Sequence, residues 1–72
     1  MDDYLNSEMS EAIDEVVHNE LYRRILKMRL LDGMTYEHIA EAVDRSPRQI
    51  ASIMSRFTGK LYSYLKKRRK SS

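Results

Sequence analysis

Two helix starts follow one another between Thr35 and Phe57, separated by too few residues for anything but a tight turn. Thr35 is a good N-cap, and Gly33 just before it supplies the left-handed residue that commonly ends a preceding helix. From Tyr36 the spacing predicts a short helix to Val43 that buries Ile39, Ala40 and Val43. It stops there because Asp44, Arg45, Ser46 and Pro47 all favour a break. Ser46-Pro47-Arg48-Gln49 then restarts the chain. It offers a capping hydroxyl, a proline at the first helical position where its missing N–H costs nothing, and a glutamine at the reciprocal capping position. The helix that follows carries Ile50, Ile53, Met54, Phe57, Leu61, Tyr64 and Leu65 within one arc. It is expected to run to about Lys66, although Gly59 costs ~1 kcal/mol relative to Ala in a helix interior.

A chain of 72 residues without cysteine has no disulfide to staple it, so the fold rests on apolar burial alone. Leu, Met, Ala, Glu, Lys and Arg dominate, with one proline and two glycines, and the expected class is all-α. Residues 1 to 6 read as a flexible lead-in, residues 7 to 65 as one small four-helix domain, and residues 66 to 72 as a basic tail. Asn6 or Ser7 is expected to cap a first amphipathic helix, with Met9, Ala12, Ile13, Val16 and Val17 on one side. A second helix, from about Asn19 to Asp32, is apolar around much of its circumference, which suggests a central element touched from several sides. No apolar stretch is long enough to span a membrane, and the acidic N-terminus is the opposite of a signal peptide. A cytoplasmic setting is therefore expected.

The formal net charge of +2 hides a segregation. Asp2, Asp3, Glu8, Glu11, Asp14, Glu15 and Glu20 occupy the first twenty residues without a Lys or Arg. From Arg45 onward the chain carries Arg45, Arg48, Arg56, Lys60, Lys66, Lys67, Arg68, Arg69 and Lys70 and not one carboxylate. Such a one-signed half attracts polyanions, and nucleic acid is the obvious one. The plainer reading of the terminal run from Lys66 to Lys70 is a solubilising tail.

A helix-turn-helix needs a small residue where its helices cross, apolar residues that lock their angle, a tight turn, and a second helix whose outer face is free. Ala40 is the small residue, Ile39, Val43, Ile50 and Ile53 the locking set, and Asp44-Arg45 the turn. Advancing 100° per residue from Ile50 puts Arg48, Ser52, Ser55 and Gly59 on the opposite side, flanked by Gln49, Arg56 and Lys60. Arg48, Gln49 and Ser52 are the candidates for base contacts in double-stranded DNA, because Arg pairs with guanine and Gln with adenine bidentately. Thr35, Tyr36, Arg45, Ser55, Arg56 and Lys60 are the candidates for phosphate contacts. Two competing readings stand beside these. Gln49 can serve its capping box alone and Arg48 can be a solvated charge, while Ser52, Ser55 and Gly59 form a small-residue stripe that would also admit another helix.

The stretch from Arg23 to Leu61, RRILKMRLLDGMTYEHIAEAVDRSPRQIASIMSRFTGKL, resembles region four of bacterial sigma factors, the part that reads the promoter's upstream element. Ala12-Ile13-Asp14-Glu15-Val16-Val17 resembles that region's first helix. The chain also resembles small phage-encoded transcriptional activators of that type and, more distantly, the DNA-binding domains of response regulators. It departs from the family where Asp44 stands at the usual turn glycine, Arg45 at a usual apolar position, and Phe57 and Thr58 at usual small or aliphatic ones. Asp tolerates left-handed geometry, so the turn is expected to survive, and Arg45 is expected to contact phosphate or pair with Asp44. The resemblance implies an accessory transcription regulator that binds DNA, touches RNA polymerase, or both, since the chain has no room for a sigma factor's other domain. The alternative it implies is a module that keeps only a protein contact, with the acidic first helix facing a basic partner.

No cysteine nucleophile or Gly-rich phosphate loop occurs, and His18 and His38 lie at no recognised ligand spacing, so no enzyme, cofactor, metal or small-molecule substrate is expected. Tyr22 and Tyr64 read as core-edge residues, Tyr36 and Tyr62 as exposed ones. Because a lone helix-turn-helix spans few base pairs, a homodimer through Tyr62, Tyr64 and Leu65 is a further expectation.

Overall fold

The computed structural model describes residues 4–71, and side chains as far as Arg68. Four helices occupy them: α1 (Asn6–Val16), α2 (Glu20–Leu30), α3 (Tyr36–Val43) and α4 (Pro47–Ser71). The all-α class expected from the sequence is the one observed. α2 packs against the other three, and α4 packs against α1, α2 and α3. The core gathers Met9, Ala12, Ile13 and Val17 from the first helix and its end, and Ile25 and Leu26 from the second. Ile39 and Ala40 of α3 and Ile50, Met54, Leu61 and Leu65 of α4 complete it. Burying each of the larger side chains contributes about 1.5–3 kcal/mol, which is what holds a domain with no covalent cross-link.

The α4 core positions recur at helical spacing over four turns, so one stripe serves two neighbours. The first half of α4 adjoins α3 through the turn. The second half lies along α1, where the Tyr4 and Tyr62 rings meet at 5.9 Å between centroids and Arg68 bonds the Glu11 carboxylate. This docking carries α4 to Ser71, beyond the Lys66 read from the sequence. It also gives Leu65, expected at a dimer contact, to the core, where it is 2% exposed. Tyr36 and Tyr62, expected to be exposed, are half-buried against Arg29 and Tyr4 respectively.

Helix ends follow local hydrogen bonding with a few shifts. α1 begins at Asn6, one residue earlier than a cap at Asn6 and two earlier than a cap at Ser7 would allow. Leu5 stands at the cap position, and its N–H donates to Glu8 Oε1 at 2.9 Å. Asn19 caps α2 by accepting the Tyr22 N–H at 3.0 Å, and the helix gives way at Leu31-Asp32 to a turn completed by Gly33 at φ 67°. Of the expected lead-in, residues 1–3 lie outside the described residues. So do Ser72 and the side chains of residues 69–71 in the expected tail, while Lys66 to Arg68 continue α4.

Candidate nucleic-acid interface

The angle between α3 and α4 is set by a turn that uses a charged residue where glycine would be easiest. Asp44 adopts φ 57°, ψ 48°, the left-handed conformation expected of it. The Arg45 N–H then reaches back to the Ala40 carbonyl at 2.9 Å and the Asp44 N–H to Glu41 at 3.4 Å. These two bonds form a Schellman closure that satisfies the last carbonyls of α3. Ser46 Oγ accepts the Gln49 N–H at 3.3 Å while Gln49 Oε1 accepts the Ser46 N–H at 3.1 Å, so the reciprocal capping box forms. The expected start of α4 is therefore in place. At the start of α3, Thr35 Oγ1 accepts the His38 N–H at 3.2 Å.

The outer surface of α4 is open from Arg48 to Lys60. Arg48, Gln49, Ser52, Ser55, Arg56, Gly59 and Lys60 are all exposed. They separate into two groups. Arg45, Gln49, Ser52 and Arg56 converge with Tyr22 and Ile53 on a shallow groove of about 230 Å³ between α2 and α4. Arg48 and Ser55 lie outside that groove, on the side of α4 away from α2. Arg45 makes no ion pair with Asp44 among the described residues; its side chain belongs to the groove instead. Gln49 is the residue whose expected role is most altered. Its amide oxygen is engaged with Ser46, and bidentate pairing with adenine needs that oxygen as well as the amide nitrogen.

Lys60 and Arg56 are organised by a ring that the sequence did not flag. The Arg56 guanidinium lies 5.6 Å and the Lys60 ammonium 5.8 Å from the centre of the Phe57 ring, which itself bears on Tyr22 at 5.5 Å. A cation over an aromatic face is weakly attracted there, which narrows where these two long side chains point. Tyr22 was likewise missed, since its place beside α4 comes from the packing of α2 and has no local signal. Thr35 is exposed at the start of α3, whereas Tyr36 is half-buried with the Arg29 guanidinium 4.9 Å above its ring. The nine candidate residues thus form a groove cluster, an Arg48–Ser55 edge, the Lys60 position further along α4 and a separate α3 start.

The electrostatics favour this face over the rest of the molecule. Carboxylates of the acidic N-terminal half are drawn into pairs within the chain: Asp14 with Lys27 at 2.9 Å, Glu20 with Arg23 at 3.8 Å, and Glu11 with Arg68. The hydrogen bond from Lys27 holds the Asp14 carboxyl below its ordinary value; partial burial opposes this, and the charges of Lys27 and Arg23 reinforce it. α4 itself carries no carboxylate to offset its cations. Among the described residues there is no group of His, Cys, Asp and Glu able to hold a metal ion, and no helix is long and apolar enough to cross a membrane.

A comparison with protein families matches residues 19–57, more than half of the chain, to "Sigma-70, region 4". The match takes in α2, α3, the turn and the first half of α4; it does not reach the Ala12–Val17 stretch of α1 or the second half of α4. No curated protein and no solved structure matches the chain. The family is one of helix-turn-helix domains that bind DNA and RNA polymerase in transcription. With the turn, the caps and the open cationic helix face described above, the chain belongs to the sigma-70 region 4 family.

Proposed function

We propose that this protein is a sequence-specific DNA-binding accessory transcription regulator that inserts α4 into the major groove from about Pro47. The observation that carries the reading is the outer face of α4. It is exposed from Arg48 to Lys60, small at Ser52 and Ser55, cationic at Arg48, Arg56 and Lys60, and without a carboxylate. A groove-binding helix needs a face that is slim enough to enter and positive enough to be held. In this reading Arg48 and Ser52 address base edges, with Gln49 contributing its amide nitrogen while its oxygen stays in the cap. Arg45, Ser55, Arg56 and Lys60 meet phosphates, with Thr35 and Tyr36 supplying a further phosphate contact at the α3 N-terminus. Such a role places the protein in the cytoplasm with the DNA, and RNA polymerase is the protein partner that the family membership supports.

The test is a titration against random and selected duplexes at several salt concentrations, with a polymerase pull-down run separately. Binding that weakens steeply with salt is the expected result. No duplex binding even at low salt, with polymerase captured, would replace this reading by that of a protein-interaction module.

A further inference from the structure

The second half of α4 lies outside the family match, yet it is an unbroken continuation of the helix that starts at Pro47. On its outer side Gly59, Lys60, Ser63, Tyr64 and Lys67 line a shallow hollow of about 460 Å³. We propose that this hollow is a second DNA contact, one that grips the phosphate backbone of duplex DNA beside the site addressed by the start of α4 and reads no sequence. The inference rests on the DNA reading above.

Three observations carry it. The first is distance. At 1.5 Å per residue, Gly59 lies about 16 Å and Lys67 about 28 Å along the axis from Arg48. The major groove is about 12 Å wide and curves round the duplex, so an unbroken helix whose first turn is at the bases passes over flanking phosphates by that point. The second is charge: Lys60 and Lys67 border the hollow, Ser63 adds a hydroxyl, and no carboxylate occurs anywhere on α4.

The third is Gly59 itself. Glycine weakens a helix interior, so its presence calls for a reason. Nothing among the described residues supplies one: the helical backbone at Gly59 has no positive φ, and a Cβ built there meets no described atom within 4 Å. The missing side chain faces outward, into the hollow, where it lets an external group approach the helix backbone closely. A phosphate with its sugar is such a group, and the two lysines are placed to neutralise it. The buried Leu61 and Leu65 and the Tyr4–Tyr62 contact hold this half of α4 against α1, so the surface is already ordered before DNA arrives.

The experiment uses the full chain with a selected and a random duplex over a range of salt. Lys60→Gln combined with Lys67→Gln is expected to weaken both duplexes by about ten-fold or more and to make the salt slope shallower by about two. Gly59→Gln is expected to raise the thermal midpoint and yet to lower affinity for both duplexes alike. Unchanged affinity and slope in both variants, with the unaltered protein binding normally, would overturn the second contact, and with it the phosphate role of Lys60, and leave the contacts of Arg45, Arg48, Ser52, Ser55 and Arg56 standing. Weakening confined to the selected duplex would also overturn it, because the hollow would then be reading sequence. Failure of the unaltered protein to bind any duplex removes this inference together with the reading beneath it, and is distinguished by the Arg48-dependent binding having vanished as well.

Discussion

The guanidinium of Arg23, on α2, closes the C-terminal end of α1: its Nε donates to the Val17 carbonyl at 2.5 Å and its Nη2 to the Asp14 carbonyl at 2.7 Å. Two helix-end acceptors that have no partner within α1 are thereby satisfied by one planar group, which also sits favourably at the negative end of the helix. Arg23→Ala is expected to lower stability by about 1–3 kcal/mol in urea denaturation. Arg23→Lys should recover only part of this, because a single ammonium does not reproduce the forked geometry.

Asp14 links stability to acid. Its folded-state carboxyl titrates below its ordinary value, chiefly because Lys27 donates to it. A depressed carboxylate adds stability that is fully present above the unfolded value and is lost as pH falls through the folded one. The thermal midpoint should therefore be level near neutrality and fall below about pH 4. In Asp14→Asn the midpoint at neutral pH should be lower and the acid decline shallower; an identical decline in the two proteins would contradict the role of this pair.

Asp44 tests the turn. Asp at φ 57° is tolerated, whereas a β-branched side chain there is strained. Asp44→Val should cost about 1–2 kcal/mol. Asp44→Gly should be neutral or stabilising, and by removing the last carboxylate before α4 it should tighten duplex binding at low salt.

Arg48 and Arg56 separate reading from holding. Arg48→Ala should relax preference among duplexes, at a cost of about 1–3 kcal/mol on the favoured one. Arg56→Ala should weaken all duplexes alike and reduce the salt slope by about one. Competition binding with a randomised duplex library measures both.

Leu65 decides between core and dimer contact. Truncation to Ala at a position 2% exposed is expected to cost about 2–5 kcal/mol. The loss should be the same at low and high protein concentration; a loss that grows on dilution would instead indicate a second copy covering this residue.

Much of the helix-turn-helix was legible in the sequence because its signals are local. Thr35 and Ser46 each cap a helix through a bond to a residue three positions on, and the α3 bounds and the α4 start fall where those caps place them. Asp44 adopts the left-handed conformation its short polar side chain allows. The site was less legible. Gln49 suits a base contact and a capping box equally well on paper, and the hydrogen bonds it makes commit its oxygen to the cap. Phe57 steadies Arg56 and Lys60 from within α4, whereas Tyr22, which lines the groove and bears on Phe57, enters the site only through the packing of α2 on α4.

What the sequence by itself determined, then, is the class of fold, the position of the turn and the one-signed charge of everything after it, since each depends on neighbours a few residues apart or on composition. Only the tertiary structure decided how far α4 runs, that α1 covers the second half of α4, that Arg23 closes α1, and which of the cations gather in one groove. Each of these joins parts of the chain that periodicity and capping rules do not connect. Glu11 and Arg68, which pair, lie 57 residues apart in sequence, and it is the packing of α1 on α4 that brings them together.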